Sequence, residues 1–146
     1  MKKMIALGLA LVLVLLLVGC GRQTADAVQN KWGVTLKAEK VTDTGLTIVC
    51  RQSGGENVAQ LQTGSFYALQ KQGESGWEDV SPELDVMWTM EAWVIPAGTS
   101  VSWDVNWEGL YGKLPAGEYR IGKEIMNFRG PGDYDEEMVY AEFTIK

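Results

Sequence analysis

Leu114-Pro115-Ala116-Gly117-Glu118-Tyr119-Arg120-Ile121, LPAGEYRI, sets a turn directly ahead of a strand. Pro115 and Gly117 punctuate the chain, after which Tyr119 and Ile121 alternate onto one face. In two-sheet sandwiches a tyrosine at the start of a late strand sends its hydroxyl back to the backbone of the corner just passed. Tyr119, with Gly117 two residues before it, is expected to do the same. The plainer reading makes Tyr119 a strand aromatic with its hydroxyl in water. Ile121 stands where many such domains carry a core cysteine, and its partner position falls near Ile48 or Cys50. Apolar packing therefore replaces the disulfide between the sheets.

Outward from this stretch, turn signals recur about every dozen residues, the spacing of an all-β sandwich. Val34 to Val41 reads as a strand, 42–45 as its turn and Leu46 to Arg51 as the returning strand. Further strands are expected at Ser65–Lys71, Trp77–Val80, Asp85–Ile95, Thr99–Trp107, Tyr119–Met126 and Met138–Ile145. In the strand from Thr99, Val101, Trp103, Val105 and Trp107 share one face, and Ser100, Ser102, Asp104 and Asn106 the other. Outside the N-terminus there is no long apolar pattern of period 3.6, so a helix is at most a single turn.

The chain has 146 residues, 13 Lys+Arg against 19 Asp+Glu, and no histidine. A net charge of −6 argues against nucleic acid, which needs a clustered basic surface. Without histidine there is no Ser-His-Asp or Cys-His set and no imidazole metal site. Catalysis would fall to carboxylates such as Glu108 or Glu91, and no spacing selects them from the other acids, so a non-enzymatic role is expected.

Lys2 and Lys3 precede an apolar run, Met4 to Val18, shorter than the ~20 residues of a comfortable bilayer span. Leu17-Val18-Gly19-Cys20 closes it and resembles the lipobox of bacterial lipoproteins. That resemblance implies cleavage after residue 19 and a diacylglyceryl group on Cys20; the alternative is an uncleaved anchor helix. Either way the remainder lies outside the cytoplasmic membrane. No other cofactor is implied. Residues 20–31 serve as the lipidated N-terminus and a short polar spacer, and 32–146 form the domain. Cys50 is left without an intramolecular partner, and its phase with Leu46 and Ile48 makes it a small core hydrophobe.

YGKLPAGEYRIGKEI, with GLTI upstream, SFYALQKQGESGW in the middle and AEFTIK at the end, resembles the bacterial immunoglobulin-like domain common in surface lipoproteins of Gram-positive bacteria. The resemblance implies an immunoglobulin-like β-sandwich of about seven to nine antiparallel strands, tethered to the cell membrane on its extracytoplasmic face. It carries over no catalytic residues. A binding, accessory or sensing role with a protein, peptide or glycan of the envelope follows; the alternative is a carbohydrate-binding module using exposed tryptophans.

For such binding, Trp77, Trp93 and Trp107 are the tryptophans expected at the surface, since an indole face covers a sugar ring. Trp103 reads as the inner aromatic, and Trp88 as core in phase with Met90, Ala92 and Val94. The second candidate is the stretch Phe128–Tyr140, expected to be an end loop carrying Asp133, Tyr134, Asp135 and Glu137. Three carboxylates are few for Ca²⁺, which takes six to eight oxygens, so the loop reads as a solvated acidic segment suited to a basic peptide.

Overall fold

Alternating apolar residues between closely spaced turns leave the chain one way to bury them, by packing strand faces together. A computed structural model describes residues 30–146, and shows two antiparallel sheets packed face to face. The expected signal peptide, Cys20 and most of the expected spacer lie outside the described residues. The smaller sheet has the order β1 (Val34–Glu39), β2 (Gly45–Gln52), β7 (Ser100–Asn106). The larger contains β3 (Gln60–Thr63), β4 (Ala68–Gly73), β5 (Gly76–Asp79), β6 (Trp93–Ile95), β8 (Gly117–Gly130) and β9 (Asp133–Ile145). One helical turn, α1 (Glu108–Tyr111), follows β7. The fold is the expected immunoglobulin-like sandwich. Among the described residues no helix is long and apolar enough to cross a membrane.

The long strand β8 organises the larger sheet. β9 runs along one edge of it, while β4 and β3 share the other end to end: Ala68–Lys71 against Tyr119–Gly122, and Gln60–Gln62 against Met126–Phe128. β5 extends the sheet beyond β4, and β6 extends it beyond β3. Tyr119, Ile121 and Ile125 point inward and are buried with Leu36, Ile48, Cys50 and Phe143.

The corner forms as expected: the Tyr119 hydroxyl donates to the Pro115 carbonyl at 2.8 Å. A Cβ on Gly117 would stand 3.1 Å from Lys71 Cε, so a side chain here would make the lysine give by a few tenths of an ångström. Tyr119 stacks on Phe143 at 5.7 Å between ring centroids, and Phe143 on Trp107 at 5.8 Å.

Four local readings are corrected. The expected strand from Asp85 shortens to Trp93–Ile95, and its phase is reversed: Trp93 and Ile95 turn in, while Val94, Ala92 and Met90 are exposed. Pairing of Val94 with Gln62 on the outer face sets that phase, which short-range alternation could not. β3 forms where no strand was expected, because β8 is long enough to recruit a second partner. Phe128–Tyr140 is no loop. β8 and β9 continue to a Pro131-Gly132 turn, with Gly130 opposite Asp133. Finally, Trp107 is fully buried, its indole N–H donating to the Asp43 carbonyl at 2.9 Å.

Candidate binding surface

Residues paired across strands share a face, so the outer surface of the larger sheet follows from register. Trp77 pairs with Gln72, Gln70 with Arg120, and Arg120 with Glu142; one step along the same face lie Ala68, Gly122 and Tyr140. The Arg120 guanidinium lies 4.7 Å from the Trp77 ring centroid and 4.0 Å from that of Tyr140, and its Nε donates to Gln70 Oε1 at 2.6 Å. Planar guanidinium stacking on both rings fixes this ladder. The Tyr140 ring covers Gly122, where a Cβ would come within 2.7 Å of it. Further along the same face stand Met138, Met126 and Phe128, all half-buried, with Tyr134 and Val94 exposed. An aromatic and thioether stripe thus runs along the outside of the sandwich.

The stripe meets a groove of about 350 Å³ lined by Gln62–Phe66, Thr89–Ala92, Glu124 and Met126. Its position follows from the gap between β3 and β4. There, Lys123 occupies an inward-facing position of β8 and is 2% exposed. Its ammonium donates to the Gly64 carbonyl and, at 2.7 Å, to the Phe66 carbonyl, two acceptors where the chain passes from β3 to β4. The Trp93 and Trp103 rings, mutually stacked at 6.0 Å, lie 5.1 and 5.9 Å from the same ammonium. Burial pushes the Lys123 amine down to about 8. Ser65 and Thr89 then join the two walls: Ser65 Oγ donates to the Thr89 carbonyl at 2.8 Å, and Thr89 Oγ1 to Ser65 Oγ at 2.9 Å. Trp88 packs edge-on against Phe66 and Tyr67.

The sequence candidates separate accordingly. Trp77 is half-exposed on the outer face, while Trp93 and Trp103 form a half-buried pair over Lys123. Trp107 is removed from the surface altogether. Asp133 and Asp135 flank the hairpin tip and pair with Arg129 at 2.8 and 2.9 Å; Tyr134 is exposed beside them, and Glu137 is half-buried. Those two carboxylates are engaged by a cation of their own strand pair. Among the described residues no group of three or more acidic or cysteine side chains is placed to hold a metal. Cys50 is buried and free, and burial pushes its thiol up to about 12, which leaves no reactive thiolate at neutral pH.

Lys123 and the groove were not foreseen. The alternation Tyr119, Ile121, Lys123, Ile125 does place a lysine on the apolar face, and that is the signal that could have found it.

A family profile described as the bacterial Ig-like domain matches residues 29–144. The chain belongs to that family, and membership suggests a non-catalytic extracellular domain. No curated protein matches the chain.

Proposed function

We propose that this is a lipid-anchored, extracytoplasmic Ig-like domain that binds a component of the cell envelope without catalysing a reaction. The observation that carries the binding role is the half-exposed stripe of Trp77, Tyr140, Met138 and Met126 on the outer face of the larger sheet. Outer sheet faces in water are ordinarily polar, and aromatic and thioether side chains set among the charges of such a face mark a contact surface. The tether rests on the lipobox-like Leu17–Cys20 after a charged and apolar leader. Two acyl chains on Cys20 would hold the domain at the membrane, each buried CH₂ contributing ~0.8 kcal/mol.

Mass spectrometry of the protein extracted from membranes tests the anchor: loss of residues 1–19 with a lipid adduct on Cys20 is expected, and release on Cys20→Ala. A water-soluble product retaining Met1 refutes it. A glycan-binding reading draws on the half-exposed Trp77 beside Tyr140. Tryptophan quenching by soluble glycans, abolished in Trp77→Ala, would favour that reading, and unchanged emission over a glycan panel would reject it.

A further inference from the structure

We propose that the groove bounded by residues 62–66 and 89–92 receives a basic, apolar-flanked peptide segment of another protein. This rests on the binding role proposed above and names its ligand class. Phe66, Met90, Ala92 and Met126 give the groove its apolar contacts. Met90 is fully exposed, and unbranched thioethers mould to varied side chains.

The ionisable side chains that line the groove are acidic, the Lys123 ammonium behind it being engaged by the Gly64 and Phe66 carbonyls. Glu91 and Glu124 line it, and Glu136 pairs with Met126 across the strands. No lysine or arginine lines it, and among the described residues none forms an ion pair with these three carboxylates. Burial, followed by the like charge of Glu136, raises the Glu124 carboxyl above its ordinary value. This surface is therefore complementary in charge to a cationic side chain. Lysine and arginine supply both complements in one side chain, an alkyl stem for the apolar wall and a charge for the carboxylates. A net charge of −6 favours approach of a cationic partner.

Size and rigidity fit a peptide. About 350 Å³ admits one or two side chains, while a globular partner would need a broader face. The walls are held in advance by Lys123 on the Gly64 and Phe66 carbonyls and by the Ser65–Thr89 hydrogen bonds. Little ordering cost then remains for binding.

The test uses the full-length protein in a nonionic detergent and fluorescence anisotropy of two labelled probes, an alternating Leu/Lys octapeptide and its Leu/Glu counterpart. The basic probe is expected to bind at least ~10-fold more tightly. Glu91→Gln/Glu124→Gln, with an unchanged melting temperature, should weaken it ~2- to 30-fold, as loss of two charge pairs at the surface implies. Met126→Ala should weaken it independently, and acidification should weaken it before ordinary carboxylates titrate. Equal binding of both probes, undiminished binding in the double variant, displacement by soluble glycans, or no binding overturns the assignment. Failure of the broader reading is separable, because it appears in fractionation as a cytosolic chain with Met1 intact, whatever the probes do.

Discussion

Lys123 is the residue on which the physical reading can be tested most directly. An amine that titrates at about 10.5 when unfolded and about 8 when folded binds fewer protons in the native state between those values. Unfolding free energy must therefore rise with pH across that interval, by about 3 kcal/mol in all. The contribution is least favourable below pH 8, where folding must bury the charged amine. It reaches its plateau above the unfolded value.

Replacing Lys123 by methionine removes the desolvation penalty but leaves the Gly64 and Phe66 carbonyls without their donor, at roughly 1–3 kcal/mol each. The two effects oppose each other at pH 7. The discriminating quantity is the slope, not the stability at one pH. Urea unfolding followed by tryptophan emission from pH 7 to 10 should show wild-type stability rising by about 2–3 kcal/mol relative to Lys123→Met; the loss that both share once pH passes the ordinary thiol range, because burial pushes the Cys50 thiol up to about 12, cancels in that difference. Stopping at pH 10 keeps most of the Tyr67 contribution out of the window. Burial raises its phenol to about 12, so its contribution is lost only as pH climbs beyond the ordinary tyrosine value. A wild-type curve parallel to that of Lys123→Met, or a Lys123 Cε resonance titrating near 10.5, would refute the reasoning.

Three further outcomes are expected. Tyr119→Phe removes the hydroxyl bonded to Pro115 and should cost about 1 kcal/mol, whereas Tyr67→Phe should cost less, since the Tyr67 hydroxyl has no hydrogen-bond partner among the described residues; chemical denaturation of the pair decides it. Trp107→Ala opens a cavity under Phe143 and removes one of the two N–H donors to the Asp43 carbonyl, Leu114 N–H remaining, so a loss of about 3–5 kcal/mol is expected in the same assay. Cys50 should resist a thiol reagent in the native protein at pH 8 and react at the rate of unfolding once denaturant is added.

What the sequence determined by itself is the set of faces and the corner. LPAGEYRI specified where β8 begins and which way Tyr119 points, because proline, glycine and alternation act within a few residues. Val101, Trp103 and Val105 were likewise placed inward by their own strand, and Cys50 was assigned to the core by its phase with Ile48. The all-β class followed from turn spacing.

Tertiary structure alone decided which strands pair and therefore what the outer surface carries. Trp107 has the same alternation as an exposed strand-end aromatic, and only the arrival of Phe143 from β9 and of the Asp43 carbonyl buries it. Trp93 and Val94 exchanged faces because β6 is three residues long, too short for its own pattern to resist pairing with β3. The acidic stretch after Phe128 became strand because β8 and β9 keep each other's hydrogen bonds satisfied out to the Pro131-Gly132 turn. The groove has the same origin. Two short strands share one edge of β8, and the chain crossing between them needs donors that Lys123 supplies from the far side of the sheet. Such an arrangement joins residues some 60 positions apart, where no local period reaches.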